Sequence, residues 1–133
     1  MMLQIKENIG DIYCDCDIID SIALLEQGSG SGKSYFFKLL RDYLTIKNVP
    51  YLFVDYNNSQ RAIDIIKSCK EERILLLDNF DIYATDDLVD WIRNSKMQYI
   101  ISTHLAYKYK WGKANIYRIN YAEDSIIIRK AGN

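Results

Sequence analysis

Cysteine, histidine and proline are scarce in this sequence. Its 133 residues include three cysteines, one proline and one histidine, His104. Cys14, Cys16 and Cys69 are an odd number without a paired zinc-binding spacing, so we expect reduced thiols. A metal site at Cys14 and Cys16 would need more ligands nearby, and His104 is the only histidine. The cysteines therefore predict neither a disulfide framework nor a zinc site.

Long apolar runs and a strong net charge are also missing. No run approaches the ~20 residues of a membrane-spanning helix, and the N-terminus lacks a basic-then-apolar signal pattern. These absences predict a cytoplasmic protein that does not enter a membrane. The formal net charge of −1 gives no general attraction to nucleic acid. The length predicts a single domain over residues 1–133, without repeats or linkers.

One short stretch carries the chemistry. It reads Gln27-Gly28-Ser29-Gly30-Ser31-Gly32-Lys33-Ser34, and Tyr35 follows it. An apolar run at 22–25 precedes it and a helical pattern begins at Lys33, which is the order that a phosphate-binding loop needs. Glycines let successive N–H groups point into one concave nest, and the helix N-terminus adds its positive end. We interpret the stretch as a triphosphate loop rather than a Gly/Ser linker, although Gln27 stands where the pattern has glycine.

The roles within the loop follow from the pattern. Lys33 reaches the β- and γ-phosphates, and the Ser34 hydroxyl ligates Mg²⁺. The residues expected to contact ATP are Gly28, Ser29, Gly30, Ser31, Gly32, Lys33, Ser34 and Tyr35.

Strands and helices alternate along the rest of the chain. Buried strands are predicted at 22–26, 51–55, 73–78 and 99–103, with helices at 33–47, after 57–59, and after 84–85. Residues 3–20 suggest a hairpin or edge strands, and 116–119 with 125–128 suggest a terminal β-hairpin. This alternation predicts an α/β fold with a parallel sheet covered on both faces.

Two polar strand ends should meet the loop. Asp78 ends the apolar run 74–77, and ligands bind at the carboxyl ends of strands in such sheets. We expect Asp78 to point at a bound Mg²⁺ together with Ser34. The segment Ser102-Thr103-His104 ends the fourth strand, so His104 could hydrogen-bond the γ-phosphate or position water.

The chain resembles a P-loop NTPase of the branch with an additional strand, which includes ABC-like and AAA-like ATPases. Gly28 to Ser34 are similar to Walker A, Ile74 to Asp78 to Walker B, and Ser102-Thr103-His104 to the switch-histidine segment. The resemblance implies a three-layer sandwich whose parallel core sheet has the order 5-1-4-3-2. It also implies that Tyr13 stacks on adenine.

The sequence departs from this family at the water-orienting position. Asn79 follows Asp78 where the family has glutamate, and an amide is a poor base. A signature motif, a lid domain and a clear arginine finger are also missing. The catalytic candidates are Lys33, Asn79 and His104, while Asp55, Asp81 or a partner chain could supply what Asn79 lacks.

Three functions stay open. The first is a slow or partner-dependent Mg²⁺-ATPase, acting alone, with a protein partner or as a homo-oligomer. The second is a small-molecule or nucleotide kinase that uses the basic stretch 107–113 as a lid. The third is a nucleotide-gated module in which this stretch docks nucleic acid or protein, although an exposed loop is the simpler interpretation.

Overall fold

The structure is a computed structural model that describes residues 3–26, 33–69, 72–104, 106 and 108–131. The strands are β1 (Leu3–Ile9), β2 (Ile12–Ile18), β3 (Ile22–Leu25), β4 (Tyr51–Val54), β5 (Ile74–Leu77), β6 (Gln98–Ser102), β7 (Asn115–Ala122) and β8 (Ser125–Lys130). The helices are α1 (Lys33–Ile46), α2 (Ala62–Lys67) and α3 (Asp86–Asn94), with short 3₁₀ turns at Ser59–Arg61 and Phe80–Ile82.

Local sequence explains most of these boundaries. Gly10, between β1 and β2, has a φ of 64°, a left-handed conformation that glycine adopts without strain. Thr85 caps α3, since its hydroxyl oxygen accepts the Leu88 N–H at 3.0 Å. The short strands β3 and β5 are buried along their whole length, as expected for strands covered on both faces.

All eight strands form one mixed sheet in the order β1-β2-β8-β7-β3-β6-β5-β4. The five strands from β7 to β4 pair in parallel. The β1–β2 and β7–β8 pairs are antiparallel hairpins, and β2 joins β8 in parallel. The carboxyl ends of β3, β5 and β6 therefore meet at one edge, and the amino end of β2 lies at that same edge.

The predicted fold class is wrong. The order 5-1-4-3-2 occurs only as a five-strand part of a larger mixed sheet, and the molecule is not a three-layer sandwich with a parallel core. The two terminal hairpins are the cause, because β8 pairs with β2 and thereby adds β8, β2 and β1 to the sheet. The sheet also curls around α1. This helix contacts β1 at one edge, while its Phe37 ring lies 6.1 Å from the Phe53 ring of β4 at the other.

Two apolar clusters cover the two faces of the sheet. The first lies between α1 and the concave face and includes side chains from strands as distant as β1 and β5. The second lies on the opposite face, where α2 and α3 cover β4, β5, β6 and β3. On that opposite face, β1, β2 and β7 present exposed side chains such as Gln4, Tyr13 and Arg118. Among the described residues, no helix is long and apolar enough to cross a membrane.

Candidate functional site

The described residues on either side of the predicted phosphate loop lie at the shared edge of the sheet. The loop residues Gly28, Ser29, Gly30, Ser31 and Gly32 lie outside the described part of the chain. The described chain reaches Glu26 at the end of β3 and starts again at Lys33, the first residue of α1. Lys33 and Ser34 are therefore in the first turn of the helix, where the backbone N–H groups favour an anion.

Asp78 is the centre of a hydrogen-bond network at this edge. It follows β5 and is only 5 % exposed. Its Oδ2 accepts the Ser34 hydroxyl at 3.0 Å, and its Oδ1 accepts the Ser102 hydroxyl at 2.7 Å and the Asn79 N–H at 3.0 Å. The structure thus brings together Ser34 and Asp78, the two predicted metal ligands, which the chain separates by β4, α2 and β5.

Lys33 lies among carboxylates. Partial burial lowers the pKa of its ammonium, while the negative charges of Asp78, Asp81 and Glu26 oppose that shift. These charges reach Lys33 from β3, from the end of β5 and from the following 3₁₀ turn. The described part of the site is therefore more acidic than basic.

The segment after β6 is held by two of these carboxylates. Asp81 accepts the Thr103 hydroxyl at 2.5 Å through Oδ1 and the His104 N–H at 2.7 Å through Oδ2. Oε2 of Glu26 accepts the N–H of Ala106 at 2.8 Å. The His104 residue is exposed, whereas Ser102 and Thr103 are buried with their hydroxyls directed at Asp78 and Asp81. Glu26 was not predicted as a site residue, because its partner is a backbone N–H that has no residue signature.

Asn79 has a conformational reason to be asparagine. It adopts φ 51° and ψ 46°, the left-handed region in which asparagine is the most tolerated non-glycine residue. Its N–H donates to Ser102 Oγ at 2.8 Å as well as to Asp78 Oδ1. The residue therefore starts the turn that brings Asp81 to the segment after β6.

Asp55 and Asp81, the two predicted substitutes for a catalytic base, already have structural partners. Asp55 Oδ1 accepts the Asn57 N–H at 2.9 Å and closes the turn after β4. The Tyr83 hydroxyl donates to the Asp78 carbonyl at 2.8 Å. Burial, followed by the charges of Asp78, Asp55 and Asp81, raises the pKa of Tyr83. Tyr83 is therefore a hydrogen-bond donor at this edge and not a proton acceptor.

Tyr13, the predicted adenine-stacking residue, lies on the face of the sheet opposite α1. Tyr13 lies at the right edge, but its ring belongs to the face opposite α1. The exposed rings of Tyr35 and Tyr121 lie near the start of α1, with their centroids 6.2 Å apart. Tyr35 was predicted to contact ATP; Tyr121 was not predicted because it lies far away in sequence.

In the basic, aromatic stretch 107–113, the described aromatic residues pack against the core. Trp111 is 5 % exposed and belongs to the second apolar cluster, with its ring centroid 5.4 Å from that of Phe80. Tyr109 packs against both rings, and the Arg93 guanidinium donates to the Lys110 carbonyl at 2.9 Å. These aromatic rings are therefore committed to packing rather than to stacking on bases. Tyr107, in the same stretch, lies outside the described residues.

The donor set fits Mg²⁺ better than a softer metal. A hydroxyl and a carboxylate, 3.0 Å apart at a helix start, are hard oxygen ligands. Within the described ranges no three His, Cys, Asp or Glu side chains gather as a metal cage. Mg²⁺ usually binds through one or two carboxylates, waters and substrate phosphates, so Ser34 and Asp78 suit it.

No protein-family model, curated protein or solved structure matches this chain.

Proposed function

We propose that the protein binds ATP with Mg²⁺ at the edge formed by β3, β5 and β6, and that it is a slow or partner-dependent ATPase. The observation that carries this proposal is the 3.0 Å hydrogen bond from Ser34 Oγ to Asp78 Oδ2. The lysine-serine pair at a helix start and the aspartate at a buried strand end come from two separate sequence patterns. Their contact is what a shared metal ion requires.

Each residue then has a defined task. Lys33 carries the ammonium that faces the β- and γ-phosphates, and the first turn of α1 directs N–H groups toward them. Ser34 and Asp78 would hold Mg²⁺, which neutralises developing charge on the phosphates during transfer. His104, which is exposed after β6, is the residue that we propose meets the terminal phosphate.

The acidic surroundings of Lys33 make the metal essential to binding. Asp78, Asp81 and Glu26 lie close enough to influence its charge, and together they repel a polyphosphate. A divalent cation between Asp78 and the phosphates turns one of these repulsions into an attraction. ATP should therefore bind far more tightly with Mg²⁺ than without it.

We expect slow turnover because the described residues of the site offer no clear general base. The side chain after Asp78 is the amide of Asn79, which cannot accept the proton of an attacking water. Asp55 and Asp81 hold turns and backbone N–H groups. A partner protein or a second copy of the chain would supply the missing group.

The buried thiols of Cys14 and Cys16, which stay protonated because burial raises their pKa, suit a reducing cytoplasm.

The experiment is ATP turnover by the purified protein, with and without Mg²⁺ and with a panel of phosphate acceptors. Phosphate release that needs Mg²⁺ but no acceptor supports the proposal. ADP production only with an acceptor would show a kinase instead. Failure to bind Mg–ATP at high micromolar concentration would contradict the proposal.

A further inference from the structure

A pocket of about 390 Å³ opens on the face of the sheet opposite α1. Leu24 of β3 and Ile116 of β7 line it, and these two residues are direct neighbours in the parallel register. Leu24 belongs to the second apolar cluster, and Ile116 packs against that cluster. The pocket is therefore built on two adjacent strands of the sheet and has an apolar surface.

Alanines leave the space of this pocket open. Ala106, Ala114 and Ala131 are all among its lining residues. The Ala131 N–H donates to the Ile116 carbonyl at 2.8 Å, which holds the chain after β8 beside the pocket. A longer side chain at Ala114 would take up part of the volume. Small-molecule sites span about 300–1,000 Å³, so a pocket of this size suits a single small molecule.

Two side chains of opposite charge line the pocket without pairing. Among its described lining residues, Glu26 and Arg118 are the charged ones, and no ion pair joins them within the described chain. Oε2 of Glu26 accepts the Ala106 N–H at 2.8 Å, which leaves Oε1 as a second acceptor. Arg118 is exposed on β7. The pocket thus offers an anion and a cation to one ligand.

This pair of charges selects among small ligands. A simple anion would be attracted by Arg118 but repelled by Glu26, and a simple cation would meet the reverse. A zwitterion is attracted by both residues. The planar guanidinium of arginine matches a carboxylate through two parallel hydrogen bonds, and a glutamate oxygen accepts a hydrogen bond from an ammonium.

We propose that this pocket binds a free α-amino acid with an apolar side chain. The carboxylate of the amino acid pairs with Arg118, and its ammonium donates to Glu26. Its side chain lies on Leu24 and Ile116, where burial of apolar surface adds to the affinity. The proposal does not rest on ATP binding.

Calorimetric titration with L-leucine, in the absence of nucleotide, tests the proposal. L-Leucine should bind, whereas isocaproate, which lacks the ammonium, and isoamylamine, which lacks the carboxylate, should each bind about 10- to 100-fold more weakly. Glycine, which has no side chain to bury, should also bind more weakly. No binding of L-leucine at millimolar concentration would overturn the proposal, as would equal affinities for L-leucine, isocaproate and isoamylamine.

Two variants locate the binding, each with a matched control. Arg118→Gln should weaken L-leucine binding about 10- to 100-fold, while Lys6→Gln, at an exposed residue of β1, should bind like the wild type. Ala114→Leu should block the pocket, whereas Ala122→Leu, at the exposed end of β7, should not affect binding. Wild-type affinity in a folded Arg118→Gln protein would overturn the proposal.

A parallel titration with Mg–ATP separates this inference from the proposed function. Binding of L-leucine by a protein that does not bind Mg–ATP would support the amino-acid pocket and overturn the proposed function alone. Binding of Mg–ATP without binding of L-leucine would overturn the amino-acid pocket alone. Circular dichroism checks that each variant is folded. If Ala114→Leu does not fold, Arg118→Gln still decides the outcome, because the exposed Arg118 side chain does not belong to either apolar cluster.

Discussion

The substitution Asp78→Asn separates a metal ligand from a structural carboxylate. Asp78 receives hydrogen bonds from Ser34, Ser102 and the Asn79 backbone, and it lies in the field of Lys33. Asparagine has nearly the same shape and still offers one acceptor oxygen, so the change removes mainly the charge. Its effect on ATP affinity should therefore depend on whether Mg²⁺ is present.

The magnitude follows from the interaction that is lost. A hydrogen-bonded contact of an ionised group is worth about 1.5–3 kcal/mol, and about 1.4 kcal/mol corresponds to a tenfold change in affinity. Mg–ATP affinity should fall roughly 10- to 100-fold by these values. Metal-free ATP meets one carboxylate fewer near Lys33, so its affinity should stay the same or rise.

Isothermal titration calorimetry with ATP, in excess Mg²⁺ and in a chelator, measures both affinities. Asp87→Asn removes an exposed carboxylate in α3 and is the control for overall charge. Equal losses of affinity with and without Mg²⁺ would refute the reasoning, because they would show that Asp78 only supports the fold of the site.

Three other variants test separate parts of the structure. Asn79→Glu should raise ATP turnover by up to ~10²–10⁴-fold, at a stability cost of about 1 kcal/mol for its left-handed backbone; a fast wild type and no gain would place the base elsewhere. Trp111→Ala should cost about 3–5 kcal/mol in urea unfolding because the ring is buried, whereas Trp91→Ala, at an exposed ring, should cost far less; equal costs would contradict the core assignment. Burial alone would raise the pKa of Asp20, but hydrogen bonds from Tyr117, Asn115 and Lys130 lower it below its usual value. The contribution of Asp20 to the free energy of unfolding should therefore be fully present above about pH 4 and should vanish as the pH falls through its folded-state pKa. Urea unfolding of the wild type and of Asp20→Asn should then give the same free energy at low pH. A difference that stays constant with pH would contradict this.

Local pattern was enough to predict most individual elements. The strands predicted at 22–26, 51–55, 73–78 and 99–103 correspond to β3, β4, β5 and β6, and the helix predicted from Lys33 corresponds to α1. Their periods and flanking residues are local, so the sequence alone indicates them. The sheet as a whole was not predictable in this way, because the β2–β8 pairing joins opposite ends of the chain.

The candidate site, like the fold, could be predicted only in part from local sequence patterns. Lys33, Ser34 and Asp78 belong to short patterns with a known spacing, and the structure places Ser34 against Asp78. Asp81 and Glu26 act through the N–H groups of His104 and Ala106, which every non-proline residue has, so no residue type marks them. Tyr13 was assigned by resemblance, and its face of the sheet depends on a hairpin register that resemblance does not fix.

A calorimetric titration of Lys33→Ala with Mg–ATP tests the central claim most directly. Lys38→Ala, which removes an exposed lysine from the same helix, is the matched control. Lys33 is in the first turn of α1 and faces the carboxylates of the site, so its loss should weaken Mg–ATP binding about 10- to 100-fold or abolish it. Lys38→Ala should bind like the wild type. Unchanged affinity in a folded Lys33→Ala protein would contradict the claim that this edge of the sheet binds a triphosphate.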